Sequence, residues 1–267
     1  VPGLDGGSVT FVATVAGTVT PAINPRGIVN AASFAPGDSP VAPGSLISIF
    51  GQNFLEPGAS PIFASGLPLP TRLGEVQVRV IDATNREFPV PLIFVSAAQI
   101  NCQLPAEISG TSVRLFVAGS FGATPPATLA VAPFVVEASP GIFSQNSSGS
   151  GPGAILNQNQ ALNTAANPET RGNTIVIFAT GQGAVQPPVP SGRPAPGAEP
   201  LSRTPANPVV TIGGRPAVVQ FSGLAPNFVG LWQINAVVPA DAPVGPSVAV
   251  VISLAGSTSN TVLVSLQ

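Results

Sequence analysis

Few side chains in this chain are equipped for chemistry, and their types exclude more than they suggest. The sequence contains no histidine. That removes histidine-dependent nucleophile triads, histidine zinc sites and any imidazole general base. Eleven carboxylates are scattered over 267 residues. Glu75 and Glu87 flank one strand pair, and paired carboxylates are the machinery of glycoside hydrolysis; in this setting they read as solvated surface groups. Calcium takes oxygen ligands crowded into a short loop, and Asp38 and Glu56 each stand isolated in the sequence. The sequence therefore predicts no catalytic residue, no metal site and no cofactor.

The groups that remain are uncharged. QINCQLPAEI at 99–108 and QINAVVPADA at 233–242 spell nearly the same strand and turn twice. A period of two puts Ile100, Cys102 and Leu104 on one face, and Ile234, Ala236 and Val238 on the same face of the other copy. A cysteine that exchanges with alanine beside isoleucine reads as a small core residue. With no base or cation beside it in sequence, it is not expected to act as a nucleophile. Gln99, Asn101, Gln233 and Asn235 take the opposite face. They are expected to hydrogen-bond to loops crossing the sheet edge, the alternative being a polar binding surface. Trp232, with Phe228 before it, and Phe94 before the first copy are assigned to core filling or the junction between units, ahead of a sugar platform. The core expected from this comparison is Ile100, Cys102, Ile234, Ala236 and Trp232.

The elements that position these residues are also duplicated. GSLISIFGQN (44–53) resembles NTIVIFATGQG (173–183), and residues 75–96 line up with 208–223. TSVRLFVAG (111–119) answers PSVAVVISLAG (246–256). The order is the same in both halves, which is the signature of a repeated unit. Val76, Val78 and Val80 alternate with Gln77 and Arg79, as do Val113, Leu115 and Val117 with Arg114 and Phe116. VTIGGRPAVV reads as a hairpin turning at Gly213-Gly214. Prolines interrupt nearly every window long enough for a helix. The predicted fold is all-β: two tandem immunoglobulin-like sandwiches, at 25–137 and 138–267, with an extra N-terminal strand. Residues 144–153 read as a loop inside the second unit. Residues 187–208 read as a long surface loop that corresponds to 56–70. Residues 1–24 form an extension in which Val9, Phe11, Ala13 and Val15 alternate over 6–20. That strand packs on its own domain, is donated to a neighbouring sheet, or is a free tail.

Composition bounds the partners. Nine arginines, no lysine and a net charge of −2 give no clustered cationic surface for nucleic acid or anionic lipid. No apolar run reaches the ~20 residues of a membrane-spanning helix, so membrane insertion is not expected. One cysteine cannot form an internal disulfide. The chain begins at Val1 instead of Met, consistent with a processed chain whose signal peptide has been removed. Scarce charge with many Ser, Thr, Asn and Gln suits an exported surface protein.

IVNAASFAPGDSPVAPGSLISIFGQNF (28–54), EASPGIFSQNSSGSGPGAILNQNQALNTAANPETRGNTIVIFATGQG (137–183) and VTIGGRPAVVQFSGLAPNFVGLWQINAVVPADAPVG (211–245) resemble an uncharacterised family of C-terminal domains in acidobacterial (Solibacter-type) secreted proteins. GSLISIFGQNF is also similar to the opening of TIG-type immunoglobulin-like domains. The resemblance implies export and association with large surface proteins, and brings no catalytic residues. The expectation is a non-catalytic extracellular module that self-associates or joins other cell-surface proteins, assembling a fibre or sheath through residues 6–20. The alternative is an adhesion module that binds polysaccharide or a surface through the loops at 56–70 and 187–208.

Overall fold

The computed structural model describes residues 20–36, 38–119, 128–131 and 135–267. Residues 1–19, with Val9, Phe11, Ala13 and Val15, lie outside the described residues. The first unit runs β1 (Ala22–Asn30), β2 (Leu46–Gln52), β3 (Ile62–Phe63), β4 (Arg72–Leu73), β5 (Val76–Asp82), β6 (Glu87–Pro89), β7 (Leu92–Val95), β8 (Gln99–Gln103), β9 (Val113–Ala118) and β10 (Thr128–Val131). β1 begins at Ala22, so it starts within the segment read from sequence as the leading extension. Among the described residues these strands make two antiparallel sheets, ordered β1-β2-β8-β7-β3 and β10-β9-β5-β4 with β6 on β5. Val76, Val78 and Val80 point inward from β5, as do Val113, Leu115 and Val117 from β9. They meet Ile47, Ile49, Ile100 and Cys102 from the other sheet in one buried cluster. Two sheets sharing one dry core is the sandwich arrangement, and each such aliphatic side chain stabilises the fold by about 1.5–3 kcal/mol.

The second unit repeats the plan with β11 (Gly141–Ile142), β12 (Ile155–Leu156), β13 (Thr174–Thr180), β14 (Val209–Ile212), β15 (Arg215–Leu224), β16 (Trp232–Val237), β17 (Gly245–Leu254), β18 (Ser257–Thr258) and β19 (Val262–Leu266). Gly213 and Gly214, both with positive φ, turn β14 into β15. β15 belongs to both layers, pairing β14 with its first residues and β16 with its last. In the first unit the same run is split into β6 and β7 around Val90-Pro91, where proline has no N–H to give a ladder. Trp232, Ile234 and Ala236 are buried in the second core. Among the described residues no helix is long and apolar enough to cross a membrane.

Register shows how closely the copies match. Ser48 faces Asn101 and Val176 faces Asn235; Phe50 faces Gln99 and Phe178 faces Gln233. β7 slips register between Leu92 and Phe94, and β15 slips between Val219 and Phe221. Each bulge inserts one residue and brings a phenylalanine, Phe94 or Phe221, opposite the asparagine of QIN.

The units are joined by a tight seam. Asn30 Nδ2 donates to the Ser139 carbonyl at 3.0 Å, Ser139 Oγ to the Pro40 carbonyl at 2.6 Å, and the Leu46 N–H to Thr180 Oγ1 at 2.8 Å. Gly181 and Gly183 have φ of 88° and 73°, and a Cβ on either would collide with the carbonyl of Ser139 or Glu137. The 187–208 segment is not the free surface loop expected from its prolines. The Gly192 N–H donates to Gln103 Oε1 at 2.7 Å, the Leu69 N–H to the Gly192 carbonyl at 2.7 Å and the Ser191 N–H to Glu107 Oε1 at 2.9 Å. Backbone groups that prolines keep out of a ladder still need partners, and the first unit supplies them.

Candidate functional site

The amides of the two QIN strands lie on the outward face of their sheets. Their partners are not loops crossing the edge. Gln99 Nε2 donates to Asn101 Oδ1 at 2.8 Å, and Gln233 Nε2 to Asn235 Oδ1 at 2.9 Å. Residues two apart on a strand share a face, so the short link along the strand is available first. Only the first unit adds a second donor, Ser48 Oγ, to Asn101 Oδ1 at 2.9 Å. In the second unit that position is Val176, which has no hydroxyl. Asn101 Nδ2 and Gln99 Oε1 make no hydrogen bond among the described residues, so they present one donor and one acceptor outward.

Phenylalanines flank this amide row on the same face. Phe50 is paired with Gln99, and its ring centroid lies 6.3 Å from that of Phe34. Phe94 is paired with Asn101 and meets Phe63, on β3, at 4.9 Å. Phe63 is 68% exposed. Phe50 and Phe94 stand two strands apart, about 10 Å, with the amides between them. A groove of about 250 Å³ runs over this face, lined in part by Phe34, Ser48, Gln99 and Asn101, and by Phe143 and Ser147 of the second unit. No charged side chain lines it.

In the second unit a cation covers one ring of the equivalent face. Arg203 places its guanidinium carbon 4.8 Å from the centroid of Phe221, which is 9% exposed. The backbone at Arg203 and Thr204 is held where the Thr204 N–H donates to the Ser222 carbonyl at 3.0 Å and Arg203 exchanges backbone hydrogen bonds with Gln186. Arg203 also pairs with Glu199 at 2.6 Å. The Leu201 N–H, and then that guanidinium, hold the Glu199 carboxyl below the usual carboxylate range.

The remaining candidates are structural in their contacts. Cys102 is fully buried, and burial pushes its thiol far above the ordinary range. Trp232 is fully buried and donates Nε1–H to Ser222 Oγ at 3.0 Å. Phe228 is exposed, apart from the amide row. Glu75 and Glu87 are not brought together: Glu75 pairs with Arg72, and Glu87 with Arg79 at 2.8 Å. Asp38 pairs with Arg26 at 3.6 Å. Asp82 is buried and accepts from the Thr84, Arg86 and Ser109 N–H groups, from Thr84 Oγ1 and from the Arg86 guanidinium. Burial pushes its carboxyl up, but those hydrogen bonds, Thr84 first, outweigh it and hold the group well below the carboxylate range. Among the described residues no three His, Cys, Asp or Glu side chains gather as metal ligands.

The sequence reading did not single out Phe34, Phe50 or Phe63. Phe50 carries a signal, since Phe178 repeats it. Phe63 carries none, because β3 is two residues inside a Pro-rich loop.

No family model and no curated protein matches the chain, and the acidobacterial resemblance rests on the quoted segments. Solved structures give distant likenesses. One is SGBP-B of the Bacteroides ovatus mixed-linkage glucan utilization locus, in complex with a mixed-linkage heptasaccharide. It is 14% identical with a TM-score of 0.32, over 87% of this chain and 44% of that one. This chain thus spans less than half of that protein's length. A tandem pair of titin immunoglobulin domains is 10% identical with a TM-score of 0.22, over 86% and 91% of the two chains. The mouse coronavirus receptor-binding domain complexed with its murine receptor gives 12% and 0.20, over 85% and 95%. At such scores the architecture rests on its own strand register.

Proposed function

We propose that this chain is a non-catalytic, cell-surface adhesion module of an exported bacterial protein, and that it holds a neutral polysaccharide on the outward face of its first unit. One observation carries the reading. The duplicated face is capped by Arg203 in the second unit and left open in the first, where ring pairs flank an uncharged amide row. Ring faces suit the apolar C–H faces of sugars, and amides suit their hydroxyls. The binding surface is then the sheet face and β3, not the 187–208 loop, which the seam occupies.

The test is retardation of the full chain in native gels cast with a glucan, a mannan or an arabinoxylan. At least one polymer should retard the chain, and Phe63→Ala should abolish the effect without altering the fold, because Phe63 is exposed. No retardation by any of them, or retardation untouched by Phe63→Ala, would sink the reading.

A further inference from the structure

The seam contains a polar group that neither the fold nor the amide row uses. Gln182 is 4% exposed, its Oε1 is buried without a partner, and its amide nitrogen makes no hydrogen bond among the described residues. A buried amide with no partner is costly, and the first unit shows that the fold does not require it. Register carries β2 onto β13, so that Asn53 and Gly181, both with positive φ, correspond. The next residue is Phe54 in the first unit, 1% exposed in the core, and Gln182 in the second. The fold accepts an apolar side chain at this place, yet this copy keeps an unpaired amide.

Gln182 lines a cleft of about 150 Å³ between the units, walled by Pro43, Ala184, Val185 and Leu224, with Gln103 beside it. Gln103 is already satisfied, accepting from the Gly192 N–H at 2.7 Å and donating to the Gly44 carbonyl at 3.4 Å. No charged side chain lines the cleft, so an ionised ligand would be desolvated there without compensation. The cleft shares no lining residue with the groove on the open face.

We propose that this cleft is a binding site for the acetamido group of an N-acetylated sugar. The acetamido carbonyl accepts from Gln182 Nε2, which lies against Gly44 of the cleft wall, and the methyl packs on Pro43, Val185 and Leu224. Gln182 Oε1 is buried away from solvent and takes no part in the contact. The cleft is too small for a polymer backbone, so the group enters as a pendant. The inference goes beyond the polysaccharide reading, which needs no acetamido group.

The experiment is nitrogen–proton correlation NMR of the full chain titrated with N-acetylglucosamine, with glucose as the control. The Gln182 side-chain amide should shift saturably with N-acetylglucosamine, at a roughly millimolar dissociation constant, and should ignore glucose. Gln182→Leu should weaken binding, followed through backbone signals of Ala184 and Val185, by about tenfold, the size of one hydrogen bond. Its Tm should hold or rise. Ala184→Phe, which fills the cleft from an exposed position, should cause the same loss and serves if Gln182→Leu fails to fold. The proposal is overturned by no saturable shift, by an equal response to glucose, or by undiminished binding in either folded variant. A crystal structure with N-acetylglucosamine bound elsewhere than at Gln182 would overturn it as well.

Discussion

Arg203 lies over the ring of Phe221 at 4.8 Å, at the place where the first unit sets Phe63 against Phe94 at 4.9 Å. One duplicated position is closed by a cation and the other is left open by an aromatic. Removing the cap should cost little, because Arg203 is half exposed. Arg203→Ala is expected to lower stability by about 0.5–1 kcal/mol in urea denaturation and to leave polysaccharide retardation unchanged. A loss of retardation would move the binding face to the second unit.

Asn101 and Asn235 offer a matched pair of substitutions. Asn101→Val removes the acceptor of Ser48, a hydroxyl that is 1% exposed. Leaving that group unpaired should cost about 1–3 kcal/mol. Asn235→Val should cost less, since Val176 stands in the place of Ser48 and only the half-buried Gln233 loses a partner. Urea midpoints of the two variants, measured together, check the order; equal losses would contradict it.

Asp82 should govern part of the acid sensitivity. Its carboxyl is held below the ordinary range in the folded chain. The unfolded chain therefore binds the proton first as pH falls, and stability falls with it. The contribution is complete above the unfolded value of about 3.9 and is lost below it, toward the folded value. Asp82→Asn should destabilise the chain at pH 7, and its deficit relative to wild type should shrink below roughly pH 4. A deficit that stays constant between pH 7 and roughly pH 3 would mean that the proton linkage lies elsewhere.

The self-assembly reading rests on residues 6–20 and has its own test. Particle size against concentration, by light scattering and negative-stain imaging, should be the same for the full chain and for a chain lacking residues 1–19. Polysaccharide retardation should survive the deletion. Ordered polymers that vanish on truncation would restore strand exchange as the principal activity.

The sheets are legible in the sequence because their cause is local. Period-two alternation at Val76–Val80 and Val113–Val117 needs no knowledge of partners, and the duplication supplies register by comparison. Cys102 is read beside Ala236 for the same reason. The open face is not legible, because Phe63 reaches Phe94 only through a bulge in β7 and a two-residue strand. The docking of 187–208 is equally hidden: Ser191 finds Glu107 at a separation of 84 residues, and proline content says nothing of distant partners. Gln182 can be aligned with Phe54, but only burial and hydrogen bonding reveal that its amide is unpaired.

The backbone contact of Gly181 and Gly183 with Ser139 and Glu137 leaves no space for a side chain at the seam. Tension applied across the pair would then be borne by seam contacts and sheet ladders together. The pair works as one stiff lever whose bearing is fixed at folding. Bulk introduced at either glycine would push on the 137–139 backbone, where the seam hydrogen bonds of Asn30 and Ser139 close, and would loosen the lever.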